Sequence, residues 1–335
     1  MIGLILRRLL QLPLIVGTVF LITLSLAWGI PGNPLENPDG RRPPPEIAQA
    51  MQAQYDLDSF WGFAGSYLQR ISGYRWLQDN RSGEHARRDE AARAAGLAPP
   101  DRPIFDLGPS LQYRDRTVNE IIGTSLPISA TLGISAMLIA IAIGVLAGVV
   151  GAIRPNSAAD VATLTLALVG ISTPTFVAGT LLLLLFSVLI PLFPVASWGS
   201  PRDLVLPALT LSLPFAAYIA RLTRVGMIEA LSSDYVRTAR AKGLPEHTVL
   251  FKHALKNAFL PVLSYLGPAT ALAMTGSFVV ERVFTVPGLG QHFVSAVQNK
   301  DLFLIMGVVI VFSTMLILFN LTVDVLYRWV DPRIA

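Results

Sequence analysis

The sequence predicts an all-α integral membrane protein with six transmembrane helices. Three observations carry this: an apolar excess, long uncharged runs, and basic residues gathered on one side. Of 335 residues, 53% are hydrophobic and only 14% are charged, too few charges to coat a water-soluble fold of this size. A helix needs about 20 mostly apolar residues to cross roughly 30 Å of hydrocarbon. The charge-free runs Leu9–Leu35, Gly123–Ile153, Val161–Pro201, Leu204–Ala220, Asn257–Val280 and Leu302–Val323 approach or exceed that length.

The first run follows Arg7-Arg8 and contains Ser25-Leu26-Ala27, a small-x-small pattern of the kind cleaved in signal peptides. Its apolar core is longer than a signal peptide's, which favours an uncleaved anchor. The turn-rich Pro31-Gly32-Asn33-Pro34 ends it. Residues 31–120 carry 11 basic and 13 acidic side chains, the near balance of a solvated surface. Asp106–Ile122 is expected to form an amphipathic helix at the membrane interface, leading into the second run. Val161–Pro201, at 41 residues, holds either one helix kinked at Pro174 or a tight pair.

Charge decides between them. With one span there, short loops on one side carry Arg7, Arg8, Arg154, Arg221, Arg224, Arg237, Arg240, Lys242, Lys252, Lys256, Arg328 and Arg333. Opposite short loops carry only Arg202, Arg282 and Lys300, a ratio of twelve to three. The positive-inside rule then places both termini in the cytoplasm, and a seventh helix breaks that rule. The expected organisation is a first span within 1–30, an extracytoplasmic region over 31–122, and a five-helix core over 123–335. The core's long cytoplasmic loop spans 221–258.

Chemistry of the chain's own is not visible. No cysteine is present, and no Gly-Lys dipeptide occurs, so a GxxxxGK[ST] phosphate loop is impossible. His85, His247, His253 and His292 form no metal-binding motif, and no GxSxG elbow appears. Ion-coupled carriers place ionisable groups mid-membrane. Here the nearest are Glu281, expected to pair with a neighbouring arginine, and Asp324, expected to cap or pair at the cytoplasmic boundary.

The informative segment is 232–261. Ser233 or Asp234 is a plausible N-cap, Gly243 a C′ residue with positive φ, and Pro245 a stop. A short helix between them is followed by a basic amphipathic one over Glu246–Ala258. Taken alone, this is an ordinary cytoplasmic hairpin whose arginines touch anionic lipid.

Its residues, however, resemble the coupling loop of dipeptide/oligopeptide ABC importer permeases. The resemblance rests on Asp234-Tyr235-Val236-Arg237-Thr238-Ala239-Arg240-Ala241-Lys242-Gly243-Leu244 and His253-Ala254-Leu255-Lys256-Asn257-Ala258-Phe259-Leu260-Pro261. Arg7-Arg8-Leu9, Pro31-Gly32-Asn33-Pro34, Val286-Pro287-Gly288-Leu289-Gly290 and the ending Asn320–Tyr327 with Asp331–Ile334 are similar in order. Arg237-Thr238-Ala239 stands where the general importer signature has Glu-Ala-Ala, and the stretch 74–101 looks inserted or divergent.

The resemblance implies a type I ABC importer permease fold. It also implies a second permease subunit, two ATP-binding subunits and an extracytoplasmic substrate-binding protein, in a bacterial inner membrane. ATP and Mg would bind the partner ATPases, with no cofactor, metal or nucleic acid on this chain. Asp234, Tyr235, Arg237, Thr238, Ala239, Arg240, Ala241, Lys242 and Gly243 would form the ATPase-coupling helix. Thr238, Ala239 and Ala241 would keep its surface small enough to enter a cleft. Ser172, Thr173, Thr210, Ser212, Met274, Thr275 and Ser277 are the candidates for lining the substrate path. Nickel, glutathione or haem are alternative cargoes; a secondary carrier, a channel, or a membrane-bound enzyme or receptor are the readings from other classes.

Overall fold

A computed structural model describes residues 2–32, 34–35, 44–96, 102–113, 115–275 and 277–330, and its regular elements are helices. They are α1 (Ile2–Gly29), α2 (Pro45–Tyr55), α3 (Phe60–Ile71), α4 (Tyr74–Arg81), α5 (Glu84–Ala94), α6 (Val118–Ile153), α7 (Ala158–Ser172) and α8 (Thr175–Leu183). α8 continues as a π-helical turn over Leu184–Leu189. Then come α9 (Pro201–Ser232), α10 (Asp234–Ala241), α11 (Glu246–Thr248), a π-helical turn over Val249–Ala254, and α12 (Leu255–Ala258). The chain closes with α13 (Leu260–Thr275), α14 (Phe278–Val283), α15 (Leu289–Gln298) and α16 (Leu302–Val330).

Five segments are long and apolar enough to cross a membrane: Leu10–Gly29, Val118–Ile153, Pro201–Ser232, Leu260–Val283 and Leu302–Leu326. The pair α7–α8 makes a sixth only if it counts as one span, for it bends by 105°. This is a break rather than a kink. Proline pushes the preceding residue out of the helical region, and Thr173 accordingly takes ψ 121° ahead of Pro174. At 1.5 Å per residue, the 15 residues of α7 reach only about 22 Å.

The expected interface helix over 106–122 is not formed. Gly108 has φ +87°, and Pro109 pairs with Thr117 in an isolated antiparallel bridge. The helix starts at Val118, where Thr117 and Glu120 exchange hydrogen bonds: Thr117 N donates to Glu120 Oε2 at 3.0 Å and Glu120 N to Thr117 Oγ1 at 3.2 Å. That reciprocal cap fixes the start, and α6 then runs unbroken into the span.

The chain divides into two compact units, one built on Ser125–Gln291 and the other on Pro13–Thr124 with His292–Ser313. In the first, Leu132, Ala136 and Ala140 of α6 pack with Leu211, Phe215 and Ile219 of α9 and Val262 and Ala273 of α13. The helices approach closely because small residues face each other. A Cβ on Gly148 would lie 2.6 Å from the Ala220 carbonyl oxygen, and one on Gly144 the same distance from that of Ala216. Only glycine fits there.

In the second unit, a region that reads as polar loop in the sequence folds into four helices, α2 to α5. Ser59 caps α3, accepting from Gly62 N at 3.2 Å. Phe63 and Tyr67 of α3, each 1% exposed, bury against Phe20 of α1 and Phe303 of α16. Tyr67 stacks on Phe20 with ring centroids 5.7 Å apart, and Trp28 meets Phe60 edge-on at 5.8 Å. Rings offset or edge-on in this way add to what their burial contributes. Lys300 Nζ donates to the carbonyl oxygens of Ile30 at 2.6 Å and Gly32 at 3.0 Å, holding the end of α1.

Candidate functional site

α10 begins where Ser233 leaves the helical region at ψ 155°. Its hydroxyl does not cap α10; it turns back to the Ala230 carbonyl oxygen at 2.5 Å. The far end closes in a Schellman motif. Gly243 has φ +76°, its N–H donates to Arg240 O at 2.9 Å, and Leu244 N donates to Ala239 O at 3.3 Å. A side chain at this left-handed position is disfavoured, which is why glycine stands there.

The helix has two faces. Val236 (0% exposed) and Ala239 (5%) sit in a core with Val249, Leu250, Ala254 and Ala258 from the following turns and Met227 of α9. Ala239 therefore does not offer a small outer surface, as the sequence reading supposed. The helical period puts it on the anchored stripe with Val236, three positions away. Asp234, Tyr235, Arg237, Thr238, Arg240, Ala241, Lys242 and Gly243 remain exposed.

Charge on that outer face is partly satisfied within the chain. Arg240 grips Glu246 with Nη2–Oε1 at 2.6 Å and Nε–Oε2 at 3.3 Å. That hydrogen-bonded pairing raises the Arg240 pKa and lowers that of Glu246. Arg237 lies 3.4 Å from Asp234. Such exposed pairs contribute little to stability.

The seven candidate path residues do not gather on one surface. Thr210 and Ser212 (each 0% exposed), Ser277 (1%) and Met274 (4%) are buried in the helical core of the first unit. Thr210 and Ser212 spend their hydroxyls on the carbonyl oxygens of Leu206 and Leu209 within α9. Only Ser172 is fully exposed, with Thr173 and Thr275 intermediate. Thr173 lines a cavity of about 440 Å³ walled by apolar side chains such as Leu166, Leu181 and Leu213. Thr210, Ser212 and Met274 serve packing in this conformation, while Ser277 donates its hydroxyl to the Glu281 carboxylate. Sequence spacing cannot separate a small residue facing a path from one that lets two helices meet.

Two polar clusters inside the helices escaped the sequence reading. Glu281 is fully buried and meets no arginine among the described residues. Its Oε1 accepts from Ser129 Oγ at 2.7 Å and Ser277 Oγ at 2.5 Å, and its Oε2 from Gln291 N at 3.3 Å. Gln291 Nε2 bonds the carbonyl oxygens of Glu281 at 2.9 Å and Val286 at 2.7 Å, and Ser129 Oγ accepts from Leu289 N at 2.8 Å. The cluster thereby shapes the turn from Phe284 to Gln291.

The second cluster is an ion pair. Asp160 of α7, 2% exposed, holds Arg224 of α9 through two bonds of 2.5 and 2.7 Å. Arg224 is thus not a free loop charge; it ties two helices together. Removing one partner strands the other. Asp160→Ala is expected to lose most folded protein, while Asp160→Ala with Arg224→Leu recovers much of it. Monodisperse yield on size exclusion checks this, and a double variant no better than the single one contradicts it.

Among the described residues no group of three or more histidines, cysteines or carboxylates is placed to hold a metal. Residues 124–335 match the family model described as the binding-protein-dependent transport system inner membrane component. Over 340 aligned residues, covering 100% of this chain and 99% of the relative, the chain is 38% identical to the oligopeptide transport system permease protein of Salmonella typhimurium. It is 44% identical over 230 residues to the dipeptide transport system permease protein of Bacillus subtilis, covering 69% of this chain and 75% of that one. A dipeptide transport system permease protein of Lactococcus lactis is 40% identical over 229 residues, 68% of this chain and 76% of that one.

Proposed function

The chain belongs to the family of binding-protein-dependent transport system inner membrane components, and from that premise we propose that it imports di- and oligopeptides as one permease subunit of an ATP-driven complex. It is a multi-pass inner membrane protein and a transport subunit rather than a catalytic one. The observation that carries the peptide reading is its likeness along its full length to a relative named for oligopeptide transport. In this reading its partners are a second permease, two ATPases and an external peptide-binding protein, and both termini face the cytoplasm.

A chain that lacks a phosphate-binding loop must receive its energy by contact. α10 suits that role. Its inner face is anchored by Val236 and Ala239, its end is stiffened by the Gly243 motif, and its outer face is exposed from Tyr235 to Lys242. With charge on that face largely paired within the chain, shape matters more than charge in docking an ATPase.

The test uses the complete complex in proteoliposomes, with a tripeptide as cargo and nickel, glutathione and haem as competitors. Ala241→Trp and Thr238→Trp place bulk on the outer face. A docking penalty of about 1.4 kcal/mol weakens ATPase association about tenfold, and disrupted coupling is read as less tripeptide moved per ATP. Ala239→Trp instead overfills the hairpin core, at about 1–3 kcal/mol, and reports folding rather than coupling. Normal transport per ATP in both outer-face variants would remove α10 from the role. Uptake of a competitor but not of tripeptide would overturn the peptide reading.

A further inference from the structure

The unit built on Pro13–Thr124 contains a cavity of about 350 Å³ that the transport reading leaves unused. We propose that it is an oxyanion site for the phosphate group of a phospholipid headgroup or of free phosphate, held by the guanidinium groups of Arg70, Arg75, Arg88 and Arg102.

The four arginines come from separate elements: Arg70 from the last turn of α3, Arg75 from α4, Arg88 from α5, and Arg102 from the segment after α5. Two carboxylates, Asp79 and Asp106, share the lining with them. The lining sets these four guanidinium groups against Asp79 and Asp106, with Glu84 and Asp89 beside Arg88 and Arg102, so both signs are interleaved and the unspent N–H donors, rather than a net charge, mark the cavity. Each guanidinium carries five N–H donors, so one ion pair does not exhaust it. Arg70 reaches Asp106 at 3.1 Å, and Arg88 reaches Glu84 at 3.1 Å. Arg102 donates from Nη1 to His85 O at 2.7 Å. Its buried Nη2 lies 2.9 Å from Asp89 Oδ1 but makes no hydrogen bond of good angle. Arg75 has no ion-pair or hydrogen-bond partner among the described residues.

Burial first, and then the neighbouring Arg75, lower the Arg70 pKa. Arg70 and Arg75 thus face each other as like charges in a half-enclosed space, with Asp106 compensating part of the effect at Arg70, and an oxyanion between the two guanidinium groups offsets their repulsion. The Tyr55 ring lies 5.6 Å beneath the Arg70 guanidinium carbon and fixes its plane. Planar forks of this kind match phosphate oxygens in pairs. A headgroup source is within reach. α3 packs its Tyr67 and Phe60 on the C-terminal half of α1 and leaves Trp61 73% exposed. Exposed tryptophan is characteristic of the membrane–water interface.

The complete complex in nanodiscs, loaded with phosphatidylglycerol or phosphatidylcholine, tests the site in two arms. One measures inorganic phosphate binding by calorimetry; the other counts retained lipid by native mass spectrometry. Arg75→Gln is the first variant, because its side chain is exposed and has no ion-pair or hydrogen-bond partner among the described residues, and Arg88→Gln is the second. Loss of a charged hydrogen-bond partner is expected to weaken the bound species about tenfold or more. Arg81→Gln, exposed and outside the cavity, should change nothing. Weakened phosphatidylglycerol retention with phosphate unaffected assigns the lipid headgroup; the reverse assigns the free anion. If neither ligand responds to either variant, or Arg81→Gln has the same effect, the site is overturned.

Discussion

Glu281→Ala is expected to destabilise the permease core by about 3–5 kcal/mol, since it strands several buried donors that each cost about 1–3 kcal/mol unpaired. The donors are the hydroxyls of Ser129 and Ser277 and the Gln291 N–H. Gly288 leaves no slack beside them, because a Cβ there would lie 2.5 Å from the Glu281 carboxyl carbon. Glu281→Gln should be milder. Its remaining oxygen can still accept from both serines, while its amide nitrogen meets the Gln291 N–H donor to donor. Thermal melting of the purified complex should rank wild type above Glu281→Gln above Glu281→Ala. An alanine variant that melts with wild type would show that the cluster is not what holds the turn at Phe284–Gln291.

Asp301→Ala should have an effect of similar size, about 3–4 kcal/mol, confined to the unit built on Pro13–Thr124. Asp301 is fully buried. One oxygen accepts from Ser110 Oγ at 2.5 Å, Leu111 N at 3.1 Å and Gln112 N at 3.2 Å. The other caps α16 through Leu304 N at 3.1 Å. Burial raises the Asp301 pKa, and these hydrogen bonds act to lower it. Hydrogen exchange read by mass spectrometry should speed up over residues 107–113 and at the start of α16. Asp301→Asn should protect the α16 end and release the 110–112 amides. Uniform exchange in the alanine variant would contradict this role.

Both carboxylates show where sequence reading stops. Glu281 stands beside Arg282 in the chain, and pairing with an arginine is the natural expectation. On the folded backbone its partners are Ser277, one helical turn away, Ser129, 152 positions away, and backbone brought round by a turn. Asp301 meets Ser110 across 191 positions. A hydrogen-bond partner that far along the chain leaves no local periodicity. Asp160 and Arg224 escaped for the same reason, being 64 residues apart. The Thr117-Val118-Asn119-Glu120 cap was different: its spacing is local, and it marks the true start of α6 within the sequence itself.

By itself, the sequence determined the membrane class and the apolar spans, because the need to satisfy backbone groups in hydrocarbon is a property of each segment alone. It also determined the C-terminal end of α10, since a positive φ at Gly243 and a stop at Pro245 are local constraints of backbone geometry. Only the tertiary structure decided that Ala239 faces inward, that Thr210, Ser212 and Met274 are buried between helices, and that Ser277 serves Glu281. It alone gathered four arginines from α3, α4, α5 and the following segment around one cavity. Each of these depends on which face meets which neighbour, and a helix carries several small or charged faces whose occupants are chosen only when another helix arrives.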